Sequence, residues 1–362
     1  MFRSIFTSII VALTSVTLQA QTRQSLNSNK VQWKLTPQSA IGKDSVQLYA
    51  PGFNTGNWVN AVVPGAVFTS YVEAGLEKDP NFGDNIYQVD KSKYNRNFWY
   101  RTELDIAKQP GETIWLNFEG INRRGEVFFN GVRLGLLDGF MHRGKFDITE
   151  LVQTGKKNVL AVLVYWPTLP VPNLASPTYI SSDGWDWMPS VPGLLQGITD
   201  DVYLTTTGSV TLVDPWVRTD LTREKDGLVS LTVGLMNSGE KELKGVISGT
   251  IQPGNISFSR NLNIGAGKTI QQSFHTAIFR QLLIRDPKLW WPNGYGEPHL
   301  YTMDLSFSVD GKPSDSRQIR FGIRKYTYDT LGSVLHISVN GERIFIKGGN
   351  WIISDAMLRF SK

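Results

Sequence analysis

The chain has 362 residues, 41% of them hydrophobic, with no cysteine and a formal charge of +5. A chain of this length needs more than one core, and without cysteine no disulfide can staple it, so stability must come from buried apolar area. The basic residues are scattered rather than gathered into a stripe, and the four histidines show no H-x-x-x-H spacing. Neither a nucleic-acid partner nor a histidine- or cysteine-based metal centre is therefore expected.

Met1-Phe2-Arg3 is a short positive start, the apolar run 5–18 has the length of a signal-peptide core, and Leu18-Gln19-Ala20 offers a small residue for cleavage. Residues 1–20 thus read as a secretory signal peptide, too short to span a bilayer comfortably. The protein is expected to be exported, periplasmic or secreted, with no membrane partner. The first helical periodicity comes after Pro64-Gly65, where Val67, Tyr71, Val72 and Leu76 recur at helical spacing. Nearly everything else reads as strand and turn. Two β-prone runs flank Asn130-Gly131, a pair suited to the positive φ angles of a type I′ hairpin turn. The same pattern recurs at Asn340-Gly341, and as Asp310-Gly311 after Phe307-Ser308-Val309. Residues 159–165 are almost continuously apolar, as in a central strand covered on both faces. Leu231, Val233 and Leu235 alternate with smaller or polar residues, as in a strand buried on one face.

The predicted architecture is all-β with short strands and frequent turns. Its expected divisions are the signal peptide 1–20, a jelly-roll at 21–208, an immunoglobulin-like β-sandwich at 209–325, and a further unit beginning at 326–362.

Three stretches could carry chemistry. Trp185 and Trp187 flank Asp186 inside a proline-bounded loop. Indole faces stack on the C–H face of a sugar and a carboxylate accepts from its hydroxyls, so this trio suits a carbohydrate contact. It equally suits two core plugs and a turn-capping aspartate. Trp290-Trp291-Pro292-Asn293-Gly294 contains a turn and a pair of tryptophans better read as packing between domains. The terminal Gly348-Gly349-Asn350-Trp351, with Asp355 beyond it, follows an apolar strand pattern at 344–346, and paired glycines permit close backbone approach. No pair of carboxylates can be nominated for acid–base catalysis, and Asp200-Asp201 reads as a cap where a strand begins.

Together these residues resemble glycoside hydrolase family 2, in its β-mannosidase and exo-β-glucosaminidase branch. The run from Ile121 through Asn122, Arg123, Arg124, Gly125 and Glu126 to Asn130-Gly131 is similar to the hairpin of the family's N-terminal jelly-roll, a galactose-binding-like domain. Phe146-Asp147-Ile148-Thr149 and Asn158-Val159-Leu160-Ala161-Val162 resemble the strands that follow. Gly184-Trp185-Asp186-Trp187-Met188-Pro189 resembles the Trp-Asp-Trp-Gly-Pro loop of the β-mannosidases, with Met188 where they have Gly. Trp290 to Gly296 resembles the Trp-Pro segment of the immunoglobulin-like second domain. The run from Lys347 through Gly348, Gly349, Asn350, Trp351 and Ile352 to Ile353 resembles the start of the catalytic TIM barrel, with Ile353 in place of Pro.

The resemblance implies an enzyme that cleaves O-glycosyl bonds of terminal β-linked sugars with retention, and needs no cofactor. It implies substrate-binding roles for Asp186, Trp185, Trp187, Asn350, Trp351 and Asp355. It assigns no catalytic residue here: the family's acid/base follows an Asn in an Asn-Glu pair, and this sequence contains no such dipeptide. Only eleven residues follow Trp351, whereas a TIM barrel needs about 250. The expectation is therefore the N-terminal part of a β-glycosidase, ending just inside a truncated barrel and inactive alone. Its partners would be carbohydrate and the missing barrel or a complementary fragment. The alternative is a non-catalytic carbohydrate-binding β-sandwich protein.

Overall fold

A computed structural model describes residues 22–42, 46–167, 191–349 and Met357. The first unit is built on two antiparallel sheets. In one, six strands lie in the order Val59–Asn60, Trp33–Pro37, Phe98–Asp105, Lys157–Tyr165, Arg124–Phe129, Val132–Asp138. In the other, four lie in the order Thr22–Ser25, Val202–Thr207, Thr113–Phe118, Gly144–Asp147. Both sheets contribute to one core, with Trp33, Leu35, Phe98 and Tyr100 from the first and Leu116, Phe118 and Leu204 from the second. This is the jelly-roll the sequence predicts.

The apolar run at 159–165 has the predicted cause. Its strand sits centrally, with Leu160, Val162 and Val164 in the main core. Ala161 and Leu163 point the other way, into a second cluster with Ile41, Leu48 and Trp99. Tyr49 closes that cluster edge-on to Trp99, their ring centroids 6.2 Å apart. Alternation disappears because both faces are dry.

The second unit is a β-sandwich of the immunoglobulin-like kind. One sheet orders Val210–Leu221, Gly227–Asn237 and Thr269–Phe274; the other orders Ile256–Ile264, Leu243–Gln252, Tyr301–Val309 and Lys312–Phe321. Val229, Leu231, Val233 and Leu235 face Ile247, Ile251, Met303, Leu305 and Phe307 across a single core. The strand Gly227–Asn237 alternates buried and half-buried along its whole length, as predicted.

A third, three-stranded sheet follows, of Tyr326–Asp329, His336–Val339 and Glu342–Ile344. The three Asn-Gly and Asp-Gly turns all hold positive φ at both centres: 47° and 83° at Asn130-Gly131, 49° and 74° at Asp310-Gly311, 55° and 89° at Asn340-Gly341. Of the apolar run at 344–346, only Ile344 lies in a strand. Phe345 and Ile346 follow it 75% and 61% exposed, because no neighbouring strand among the described residues covers them.

Trp290 performs the packing role read for it. Its backbone N–H donates to the carbonyl of Ile323 at 2.9 Å, and its carbonyl accepts from the Asn340 amide at 3.0 Å. The Arg324 guanidinium lies 4.4 Å from its ring centroid. The tryptophan thus joins the sandwich to the third sheet.

Candidate functional site

All six sequence-predicted binding residues, Trp185, Asp186, Trp187, Asn350, Trp351 and Asp355, lie outside the described residues, as does the predicted signal peptide. What the structure fixes is where the flanking chain is anchored, and one anchor downstream of each segment falls on the same helix.

That helix, Val67–Glu73, is the one predicted after Pro64-Gly65, two turns long and buried along Val67, Phe68, Thr69 and Ser70. Phe68 and Tyr71 pack edge-on against Tyr94, with centroids 5.2 and 5.3 Å away. The Tyr94 hydroxyl donates to Glu77 at 2.8 Å. Burial and then this carboxylate push the Tyr94 phenol far up, so it stays a neutral donor.

The segment 168–190 leaves from the end of the central strand. There the Trp166 N–H donates to the Asn97 side chain at 3.0 Å, and the Tyr165 hydroxyl donates to Glu126 at 3.0 Å. Burial would raise the Glu126 carboxyl, but the bonds from Arg133 and Tyr165 hold it below the usual glutamate range. The chain returns through the turn Pro192–Leu195, where Leu194 and Leu195 hold φ of 52° and 58°. Such angles are uncommon for branched residues and persist only where surroundings impose them. The buried Asn122 amide supplies one restraint, donating to the Leu194 carbonyl at 3.0 Å. Gln196 supplies two more: its side-chain amide donates to the Arg96 carbonyl at 3.0 Å, and its backbone carbonyl accepts from Val67 N–H at 2.8 Å. Gly197 then pairs against Ala66 so closely that a Cβ would stand 2.3 Å from the Gly65 carbonyl oxygen.

The other candidate segment reaches the same helix. Met357, two residues beyond Asp355, is 1% exposed, and its carbonyl accepts from the Thr69 hydroxyl at 2.6 Å. The chain that follows each of the two candidate segments, at Gln196 and at Met357, is therefore bonded to one helix of the jelly-roll, although some 160 residues separate the segments in sequence.

Sequence reasoning passed over Thr69 and Gln196, single polar residues without pattern, and read Asn122 only as part of a hairpin. It also passed over Phe82 and Tyr87, which follow the helix 77% and 71% exposed and offer apolar ring faces to solvent. Asp201 matches its predicted capping role, accepting from Arg23 at 2.8 Å and Asn27 at 2.7 Å where the strand Val202–Thr207 begins. Among the described residues no group of three or more His, Cys, Asp or Glu could hold a metal ion, and no helix is long and apolar enough to cross a membrane.

Two family models match this architecture. The galactose-binding domain-like model of glycosyl hydrolase 2 covers residues 33–199, and the glycosyl hydrolases family 2 model covers residues 210–324. The chain belongs to glycosyl hydrolase family 2. Among its curated relatives, the mannosylglycoprotein endo-β-mannosidase of Lilium longiflorum is 30% identical over 94% of this chain and 38% of its own length. The exo-β-D-glucosaminidase of Amycolatopsis orientalis is 29% identical over 93% of this chain and 31% of its own. The crystal structure of the exo-chitosanase of Amycolatopsis orientalis superposes with a TM-score of 0.78 at 26% identity, covering 94% of this chain and 38% of that one. The β-D-mannosidase of Dictyoglomus thermophilum gives 0.72 at 25%, over 93% and 41%. The chain thus spans less than two-fifths of the length of these curated relatives.

Proposed function

We propose that this family 2 chain is the N-terminal part of an exported, retaining β-glycosidase acting on terminal β-linked sugars of the β-mannoside or β-glucosaminide type. In that reading Trp185, Asp186 and Trp187 on the jelly-roll, with Asn350, Trp351 and Asp355, hold the terminal sugar. The carboxylate pair that retaining hydrolysis needs, about 5 Å apart, lies outside these 362 residues. The 362-residue chain by itself is inactive, and the exposed Phe345 and Ile346 are covered by a barrel domain or a complementary fragment.

The observation that carries this reading is the convergence on helix Val67–Glu73. The return of segment 168–190 and the carbonyl of Met357 both bond to it. Such convergence is what one sugar site built from two distant segments requires. The half-buried carboxylates described nearby do other work: Glu77 serves Tyr94 and Lys93, and Glu126 serves Arg133 and Tyr165.

The test has two parts. The purified chain is assayed with aryl β-mannosides and aryl β-glucosaminides, and is expected to release no aryl group above a buffer blank. Titration calorimetry with the same sugars is expected to show weak binding that Asp186→Ala abolishes. Turnover by the isolated chain would refute the assignment of catalysis elsewhere. Binding indifferent to Asp186→Ala would return the Trp-Asp-Trp loop to packing.

A further inference from the structure

Where the jelly-roll meets the sandwich, away from the elements that anchor the candidate sugar site, lies a cleft of about 630 Å³. Its walls carry Arg23, Arg143, Lys145 and Arg317 against two carboxylates, Glu119 and Asp214. Three of the cations are already matched. Arg23 pairs with Asp201 at 2.8 Å, Arg143 with Glu119 at 2.7 Å and Arg317 with Asp315 at 2.8 Å. Lys145 is different. Its ammonium lies 4.5 Å from the Trp115 ring centroid, and no carboxylate among the described residues comes within ion-pair distance of it.

We propose that this cleft binds an oxyanion group, a carboxylate or sulfate, with Lys145 as its principal cation and the neighbouring guanidiniums as additional donors. Three observations carry the inference. A cation held over an indole with no carboxylate in ion-pair contact leaves its N–H donors open to an entering anion. Arginine used by one carboxylate retains other N–H groups in its planar fork. Of the two carboxylates that pull on Lys145, Asp214 stays beyond ion-pair distance and Asp315 is engaged elsewhere, as is Glu119 on the same wall. Asp315, whose side chain is fully buried, accepts from the Leu212 N–H at 2.8 Å as well as from Arg317. Glu119 accepts from Tyr203 at 2.6 Å as well as from Arg143. Burial and then the Arg317 guanidinium push the Lys145 ammonium below its ordinary range, against the opposing pull of Asp315 and Asp214. A bound anion relieves that strain.

Asp214 shapes the selectivity. It lines the same cleft at the register shift between Val213 and Trp216. Its negative charge opposes a second anion, so the cleft suits one monovalent group, such as the carboxylate of an acidic sugar, better than a polyanion.

The experiment titrates the full chain with glucuronate, inorganic sulfate and glucose by calorimetry at low ionic strength. Glucuronate is expected to bind and glucose not to. Lys145→Gln is expected to weaken glucuronate about tenfold, the scale of one charge-assisted hydrogen bond. Asp214→Asn keeps a residue that tolerates positive φ and is expected to tighten binding, an effect that mere structural support would not produce. Sulfate, a dianion, binding as tightly as glucuronate supports the oxyanion site but overturns the selectivity assigned to Asp214; tighter glucuronate binding supports an acidic saccharide. Equal binding of glucose, no binding of either anion, or affinity unchanged in Lys145→Gln overturns the proposal. None of these outcomes bears on Asp186, so the result is independent of the proposed glycosidase role.

Discussion

Arg101 shows how much one side chain can organise. It is 4% exposed, and its guanidinium donates to the carbonyls of Leu48 and Ala50 and to Glu103 at 2.9, 2.7 and 2.6 Å. It therefore fastens the covering segment around 47–50 onto the outer face of the six-stranded sheet. Replacing it with methionine keeps length but leaves two carbonyls and a carboxylate short of a partner. Arg101→Met is expected to cost about 3 kcal/mol, read from urea denaturation. Burial alone would raise Glu103, but the bonds from Arg101 and from Gly52 N–H hold its carboxyl below the ordinary glutamate value. Its folded pKa is thus depressed relative to the unfolded chain. The stabilisation is complete above the unfolded value and is lost as pH falls through the folded one. Glu103→Gln is therefore expected to be less stable than the parent at pH 7, with the gap closing in acid. A gap that stayed constant from pH 7 down to pH 3 would exclude this linkage.

At the scale of elements, legibility followed locality. The three positive-φ turns, the alternation of Gly227–Asn237 and the helix Val67–Glu73 were readable because each is specified by neighbours in sequence. The covering residues Ile41, Leu48, Tyr49 and Trp58 were not, since their cluster with Trp99 and Leu163 depends on chain some fifty to over one hundred residues away. The candidate site divides the same way. The Trp-Asp-Trp and Gly-Gly-Asn-Trp motifs stood out by composition. Thr69, which ties the second motif's segment to the helix, is one unremarked hydroxyl. Thr69→Val is isosteric and removes only that bond. It is expected to expose the chain near Met357, measured as faster limited proteolysis in 345–362, with the jelly-roll unaffected. Trp290 gives a matching test on the sandwich side. A Cβ on Gly322 would stand 2.6 Å from the Trp290 Cβ, so Gly322→Ala must displace the indole from Arg324 and disturb the Trp290 N–H bond to the Ile323 carbonyl. A loss of about 1–3 kcal/mol in chemical denaturation is expected, as for other overpacked sites.

Across the whole molecule, the two units are joined at a short hydrogen-bonded seam. Thr207 ends the last strand of the jelly-roll, and its hydroxyl lies 2.9 Å from that of Thr211 in the first strand of the sandwich. Between them, the Gly208 N–H donates to the Ser314 carbonyl at 2.6 Å. The Ser314 hydroxyl both accepts from the Val210 N–H and donates to the Val210 carbonyl, each at 2.8 Å. Val210 and Ser314 both belong to sandwich strands, so these bonds fix the linker against the sandwich, while the Thr207–Thr211 contact carries the tie to the jelly-roll. None of this was readable beforehand, because Gly208 and Ser314 meet only after the sandwich has closed. The closeness is what makes the glycine necessary: a Cβ would approach the Ser314 hydroxyl to 2.7 Å and its Cα to 3.0 Å. Gly208→Val should thus force the linker away from Ser314 while leaving both apolar cores intact. The parent chain is expected to melt in one calorimetric transition and Gly208→Val in two, with the core strands of each unit still protected from hydrogen exchange. Two transitions in the parent would mean that the seam positions the domains without coupling their stability, and a single unchanged transition in the variant would place the coupling elsewhere.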